Sequence, residues 1–423
     1  MRPVLTPKQM RVLDTEATTA GTPIEILIGR AGAAVARAAK RMMGGLYGRT
    51  VVVITGKGNN GADGRVTARL LADQGVRVHV IDAEHMPLRL PVSDLIIDAA
   101  FGTGFRGDWS PPATKGVPVL AVDIPSGIDG LTGLAAPDTW QATRTVTFVA
   151  LKPGLLLGAG RALCGEVELV DIGINLGMGN VDINEVERSD VSQWVPQRPF
   201  DSHKWKAALY AVAGSSGMMG AANLCSASAM RAGAGIVHVA SPGIVSDRST
   251  STEIVRRALP ALGWSHEVLD DLSRFKAIVI GPGLGRDEGT VSEARRIIAG
   301  AHIPMVIDGD GLFAVAWGGE GARDIVRSRA AGTVLTPHDG EYTTLLGYAP
   351  SHDRITSARR LASDTNCVCL LKGTTTVVAE PSGEVLMVAN GDQRLATAGT
   401  GDVLAGIIGA LLAQGVEPFH AAA

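Results

Sequence analysis

Short continuous runs of β-branched and aliphatic residues, most of them followed by a helical pattern, recur along the 423-residue chain, and this alternation constrains its fold most. TVVVITG, VRVHVI, LIIDAA, PVLAVDIP and TVTFVA form a first series, AALYAVAG, GIVHVAS, AIVIGPG, PMVIDGD, TVLTP, VCLLKG and VLMVAN a second. Several of these runs lack the in–out alternation of a half-exposed sheet. Continuous apolar strands between helices predict parallel sheets covered on both faces. MRVLDTEATT and IEILIGRAGAAVARAAKRMM carry apolar residues at helical spacing ahead of the first series. Further helical patterns lie around 220–232, 290–300 and 355–363. Residues 179–206 are polar and contain proline, so the domain boundary is placed near residue 195, giving domains 1–195 and 196–423. The expected class is α/β: a Rossmann-like three-layer sandwich followed by a second α/β domain.

Composition narrows the function. The net charge is −3 with no long single-sign block, which argues against nucleic acid or an anionic membrane as the main partner. Lys8, Arg11, Asp14, Glu16 and Glu25 interrupt the first thirty residues, so no signal-peptide core is present there. The longest uncharged apolar stretch, VLAGIIGALLA from Val403, is too short to span a bilayer. A cytoplasmic protein is expected. No metal-ligand spacing occurs among the cysteines and histidines, and Cys367 and Cys369 are read as small buried residues on one strand face. A homo-oligomer, a tetramer or larger, is the expected assembly.

The 53 glycines cluster at strand ends. In TVVVITGKGNNGADGRVTARLLADQG a buried strand ends in a Gly-rich turn and a helix begins near Ala62. Amides at such a turn and helix start can hold an anion. Asn59, Asn60 and Asp63 add polar groups that a bare phosphate turn does not need, although Asn and Asp also serve as simple helix caps. LIIDAAFGTGFRGD places Asp98 at a second strand end, and VLAVDIPSGIDG places Asp123 and Ser126 at a third. Ligands of open α/β sheets bind beyond the carboxyl ends of strands. GKGNNG carries the bare G-x-G-x-x-G spacing, a weak signal by itself, and the Asn59, Asn60 and Asp63 side chains go beyond what a dinucleotide phosphate turn needs.

The combination of GKGNNGADG, DAAFGTGFRG and AVDIPSGIDG resembles the NAD(P)H-hydrate epimerase domain, over roughly residues 5 to 190. The resemblance implies a substrate of hydrated NADH or NADPH, carrying a hydroxyl on its nicotinamide ring, whose R and S forms are interconverted. It implies that Asn59, Asn60, Gly61, Ala62 and Asp63, together with Gly102, Thr103, Gly104, Phe105, Arg106, Gly107, Asp108 and Asp123, hold the hydrate. It further implies that Asn60, Asp98 and Ser126 bind a potassium ion. Asp123 is the candidate acid/base group. Lys152, in VALKPG, is a second candidate, with a plain surface lysine as the rival reading. The chain departs from the family pattern at Ala62, where a glycine is usual, and at Ile28 and Gly29, where a Met-Glu pair is usual; a β-carbon at position 62 is expected to narrow the loop.

In NGDQRLATAGTGDVLAGIIGALLAQG, the sequence Gly399-Thr400-Gly401-Asp402 precedes an apolar helix. Its amides sit at the positive helix end. Asp402 falls in the first turn, either as a base for a hydroxyl receiving a phosphoryl group or as a simple helix-terminal charge. This stretch resembles the anion hole of the ribokinase-like fold. SHKWKAALYAVAGSSGMMGAA, AIVIGPGLG, VIDGDGL, VLTPHDGE, LLKGTTTVV and ATAGTGDVLAGI, in that order over residues 202 to 418, are similar to the ADP/ATP-dependent NAD(P)H-hydrate dehydratase. The similarity implies that Ala222, Gly285 and His338 line the hydrate site, with a satisfied core histidine as the rival reading of His338. It implies that Lys372, Gly373, Thr374, Thr375 and Thr376 hold the phosphates of ADP, that Gly401 contacts the nucleotide and that Asp402 is the base. A magnesium ion on the transferring group is expected. Trp205 stands where the family tends to have glycine, and the chain ends at FHAAA in a helical pattern that reads as unfinished. The whole reads as a bifunctional metabolite-repair enzyme. The alternative is a ribokinase-like small-alcohol kinase with a non-catalytic N-terminal binding module.

Overall fold

A computed structural model describes residues 1–177, 181–244, 253–316 and 320–423. The chain forms two units, Arg2–Asn184 and Glu185–Ala423, the second also taking in Met1. Residue 195, the expected boundary, directly follows the short helix Arg188–Trp194.

In the first unit, strands β1 (Thr50–Thr55), β2 (Arg77–Asp82), β3 (Leu95–Ala99), β4 (Val119–Val122), β5 (Arg144–Phe148) and β6 (Glu166–Val170) form a sheet in the order β2-β1-β3-β4-β5-β6. Every pairing among them is parallel. Side chains alternate between the two faces of a strand. Val51, Val53, Ile97, Leu120 and Val122 pack with helices α1 (Pro7–Thr19), α2 (Ile24–Met43) and α3 (Asn59–Ala72). Val52, Ile54, Ile96, Val119 and Ala121 pack instead with Phe105, Trp109 and Trp140. Both faces are therefore dry, which is why the strands read as continuous apolar runs. The second covering layer is largely irregular chain carrying aromatic rings, with Phe101, Trp109 and Trp140 in edge contacts at 5.2 and 6.1 Å.

The first Gly-rich turn is tighter than expected. Helix α3 begins at Asn59, three residues before Ala62. Gly61 cannot carry a side chain, because a Cβ there would stand 1.9 Å from the Gly56 carbonyl oxygen. Ala62 occupies the partly exposed side of the same turn.

In the second unit, β7 (Ala208–Val212), β8 (Ile236–Pro242), β9 (Val255–Leu259), β10 (Ala277–Ile280), β11 (Met305–Ile307), β12 (Thr333–Leu335) and β13 (Val368–Leu371) run parallel in the order β13-β12-β11-β10-β7-β8-β9. An antiparallel pair, β14 (Thr376–Ala379) and β15 (Val385–Val388), extends the sheet beyond β13. The helices include α4 (Met219–Arg231), α5 (Glu288–Gly300), α6 (Asp339–Leu346), α7 (Arg354–Thr365) and α8 (Thr400–Ala413). Helix α8 packs against α4 at backbone distance, since a Cβ on Gly406 would meet the Cys225 carbonyl oxygen at 2.1 Å. Cys367 and Cys369 are both buried, as their strand face predicts. Trp205 fills a space within this unit: its ring packs edge-on to Phe275 at 5.7 Å, with the Arg274 guanidinium over it at 4.4 Å.

Candidate active sites

The first unit has a cleft of about 630 Å³ at the carboxyl ends of its strands. Its floor is built by two unusual turns. Asp123 directly follows β4 with φ 66°, and Val149 directly follows β5 with φ 68°. In each, the next amide bonds back across one residue, Ile124 N–H to Val122 C=O at 2.8 Å and Ala150 N–H to Phe148 C=O at 2.7 Å. These are γ-turns with positive φ, rare for any residue and especially for a β-branched valine. Such conformations cost roughly 1–3 kcal/mol each and cluster at functional sites.

The turns bring Asp123 to Lys152. The lysine is buried, with 1% of its side chain exposed. Its ammonium donates to Asp123 Oδ1 at 2.5 Å, Thr147 Oγ1 at 2.8 Å and the Phe148 carbonyl at 3.0 Å. Three acceptors exhaust its three protons. Lys152 is therefore no surface lysine; it fixes the Asp123 carboxylate at the cleft wall. Two further carboxyls face the same space. Burial, then Asp123 and Asp14, push Asp63 up to about 8, with Lys152 opposing. Burial and Asp123 also raise Asp14, again against Lys152.

Asn59, Asn60, Gly102, Thr103, Gly104, Phe105 and Arg106 join these groups around the cleft. Gly61, Ala62, Gly107 and Asp108 do not line it. Ala62, whose β-carbon was expected to narrow the loop, is thus not among the residues around the cleft.

Beneath the cleft lies Asp98, fully buried. Its Oδ1 accepts from Ser126 Oγ at 2.5 Å and its Oδ2 from Ser126 N–H at 2.8 Å. Burial raises its pKa, hydrogen bonds from Ser126 and Ala100 pull it back, and no cation among the described residues contributes. Asn60 is buried too, and neither its amide oxygen nor its amide nitrogen has a partner among the described residues. A buried carboxylate lacking a counter-charge, with an unpaired amide oxygen in the same unit, suits a hard monovalent cation.

In the second unit, Asp308, Thr336 and Lys372 are the first residues beyond β11, β12 and β13. Lys372 Nζ donates to Asp308 Oδ1 at 2.7 Å, and Thr336 Oγ1 donates to the same oxygen at 2.6 Å. The start of α8 closes on this group: a Cβ on Gly401 would lie 3.4 Å from Lys372 Nζ and 3.8 Å from Asp308 Oδ2. Burial pushes the neighbouring Asp402 carboxyl up, Asp308 and Asp310 add to the rise, and Lys372 opposes it. Gly285 donates its N–H to Asp310 Oδ2 at 2.9 Å, and Arg286 binds Oδ1 at 2.6 Å.

The KGTTT turn is braced from outside: Arg354 bonds the Lys372 carbonyl at 2.6 Å and Asp339 at 2.9 Å. Within it Thr375 is buried, Gly373 and Thr374 are exposed, and Thr376 opens β14. His338 is not a core histidine. It caps α6, its Nδ1 accepting from Gly340 and Glu341 N–H at 3.0 and 3.2 Å, with 60% of its side chain exposed. That cap leaves the proton on Nε2, which lies 3.5 Å from Glu341 Oε2. Ala222 is fully buried on α4, in the core of the sheet.

Similarity to known proteins follows the two units. The family model described as NAD(P)H-hydrate dehydratase matches residues 209–423. The model described as YjeF-related protein N-terminus matches residues 24–91 and 81–154. A bifunctional NAD(P)H-hydrate repair enzyme of Moorella thermoacetica is 34% identical over 468 residues, covering 95% of this chain and 86% of its own. One from Mycobacterium tuberculosis is 37% identical over 407 residues, covering 90% and 82%. The chain belongs to the bifunctional NAD(P)H-hydrate repair enzymes. Among solved structures, an ADP/ATP-dependent NAD(P)H-hydrate dehydratase from Bacillus subtilis, co-crystallized with ATP and Mg2+, is 28% identical with a TM-score of 0.46, covering 56% of this chain and 83% of that one.

For a repair enzyme, the sequence reading missed two carboxylates. Asp308 carries the same signal that found Asp98 and Asp123, an aspartate at the end of an apolar run, here PMVIDGD. Asp14 lies within helix α1, and its approach to Asp63 and Asp123 comes from tertiary packing alone.

Proposed function

We propose that the first unit epimerises the hydrates of NADH and NADPH and that the second dehydrates the S form at the expense of ADP or ATP. One observation carries the reading: each unit places a lysine–carboxylate pair at the carboxyl ends of its parallel strands, Lys152–Asp123 and Lys372–Asp308. Family membership supplies the substrate.

In the hydrate, the carbon bearing the hydroxyl also bears the ring nitrogen. Protonating that hydroxyl lets nitrogen expel it as water, leaving a planar centre. Water then re-adds from the opposite face and gives up a proton. One group must donate a proton and another accept one. Asp63, neutral across most of the physiological range, is the donor, and Asp123, held by Lys152, is the acceptor. Asn60, Asp98 and Ser126 would hold potassium, whose charge offsets the buried Asp98 and steadies the loop from Ala100 onward.

In the second unit, Asp402 takes the hydroxyl proton as the terminal phosphoryl group of the nucleotide bonds to the hydroxyl oxygen. The bond between that phosphorus and its bridging oxygen breaks, releasing AMP from ADP, or ADP from ATP. The ring then expels phosphate, and loss of a proton from the adjacent carbon restores the dihydronicotinamide. Lys372, the KGTTT turn and the α8 amides stabilise the phosphoryl charge, the kind of preorganised field that carries most phosphoryl-transfer catalysis. Magnesium would supply charge neutralisation on the phosphates. Mg2+ in such sites is commonly held by the substrate phosphates with one or two carboxylates. His338 and Gly285 would lie against the hydrate.

The deciding assay mixes the full chain with the hydrate epimers, Mg2+ and ADP or ATP and follows the absorbance of reduced nicotinamide. Complete recovery of both epimers is expected. Recovery of one epimer only would remove the first activity; a stable phosphorylated alcohol with no recovery would favour the kinase alternative.

A further inference from the structure

We infer that Asp308 is a positioning residue of the dehydration site, anchoring Lys372 through one carboxylate oxygen and setting its negative charge against Asp402. The inference rests on the dehydratase reading given above.

The geometry is built by the sheet. Strands β11, β12 and β13 are parallel neighbours, with Ile307 opposite Leu335 and Leu335 opposite Cys369. The first residue past each strand is polar: Asp308, Thr336 and Lys372. Asp308 is 3% exposed, and its Oδ1 receives both the lysine ammonium and the threonine hydroxyl. A buried ion pair is seldom a source of net stability, because desolvation offsets the attraction. A lysine meant only to meet phosphate would not need a buried carboxylate behind it. With one proton committed to Asp308, the ammonium is held at a fixed point and keeps two protons for the phosphates.

The second carboxylate oxygen of Asp308 lies toward Gly401, the residue before Asp402. The charged and titratable groups around Asp402 are Asp308, Asp310 and Lys372, with the fully buried Cys225 thiol on α4. Asp310 is already bound by Arg286 and the Gly285 amide. Asp308 and Lys372 therefore act on Asp402 with opposite signs. A negative neighbour strengthens a carboxylate base; a positive one weakens it.

The test is the pH profile of kcat/KM for dehydration in the full-length wild type, Asp308→Asn and Lys372→Met. Titration of the nucleotide phosphates is common to all three and cancels in the differences. In D308N the acid limb should move to lower pH by about one unit. Its kcat at neutral pH should fall about 10²-fold, at the low end of what a placed general base contributes. The nucleotide KM should stay within about threefold, since the lysine charge is retained. In K372M the limb should move to higher pH. Limbs that stay in place, or move in the same direction, overturn the inference. So does a D308N variant whose only change is a tenfold or larger rise in nucleotide KM, which would make Asp308 a nucleotide contact. If D308N does not fold, Asp308→Ser is read in its place, with the same limb shift to lower pH expected and an unmoved limb overturning the inference. A wild type that restores no reduced nicotinamide overturns the dehydratase reading and this inference with it. A working wild type with unmoved variants overturns the inference alone.

Discussion

Asp63 should make the first unit less stable as pH rises, and an asparagine there should remove the effect. The carboxyl is 7% exposed and carries a pKa of about 8 against an ordinary 3.8. Burial is the main cause, and the Asp123 and Asp14 charges add to it. Between those two values the folded chain binds more protons than the unfolded chain, so stability falls as pH rises through this window and levels off above it. Each pH unit is worth about 1.4 kcal/mol, which gives about 6 kcal/mol across the window if the cleft were dry. Water in the cleft lowers this to roughly half. An asparagine side chain keeps the shape and cannot ionise. The advantage of Asp63→Asn over wild type should therefore grow by about 2–4 kcal/mol between pH 5 and pH 9. With an m-value of about 2 kcal/mol/M, the urea midpoint should separate by about 1–2 M. Cys164 is the sole cysteine among residues 2–184 and is 3% exposed. Its alkylation in a urea series, read by peptide mass, follows this unit without interference from the second. Epimerisation should fall in the same variant, because the proton donor is gone. Parallel loss of stability in wild type and D63N from pH 5 to pH 9 would refute the reasoning, since Asp63 would then be charged in the folded state at no cost.

Lys152→Met should cost about 3–5 kcal/mol in urea unfolding, the effect of leaving one member of a buried pair uncompensated, and should cut epimer exchange by at least about 10²-fold while dehydration persists. Asp402→Ala should abolish recovery of reduced nicotinamide while calorimetric nucleotide binding remains; full turnover would remove its role as the base. Gly61→Ala should destabilise the first unit by several kcal/mol in urea unfolding, because the new Cβ meets the Gly56 carbonyl, whereas Ala62→Gly, at a partly exposed helix position, should cost only about 1 kcal/mol. Potassium should raise the melting temperature of the wild type more than an equal concentration of tetramethylammonium, and Asp98→Asn should erase the difference.

Much of this architecture was open to reading because its strands are buried on both faces. TVVVIT, LIIDA and VLAV carry no alternation, and each proved to be a strand with residues shared between two dry clusters. Aspartates at strand ends were equally legible, since an oxygen-rich side chain after an apolar run has few structural uses. What the sequence hides is whatever depends on backbone conformation or on contacts between distant elements. Nothing in AVDIP or FVALK announces a γ-turn, yet the turns at Asp123 and Val149 aim the carboxylate and bring Lys152 beneath it. The helix start at Asn59 lies three residues ahead of the expected one because Gly58 caps it without a side-chain bond, leaving no Ser, Thr or Asp signal. His338 shows the reverse case. Its TPHDGE setting marks a site, but the spacing to Glu341 is also that of a capping box, and the imidazole does satisfy the helix end. The two readings are compatible, because capping uses Nδ1 and leaves Nε2, 3.5 Å from a Glu341 carboxylate oxygen, on an exposed side chain that a ligand can reach. A histidine that must cap a helix is held in one tautomer and one orientation. In that sense the structural role supplies the preorganisation that a binding role requires.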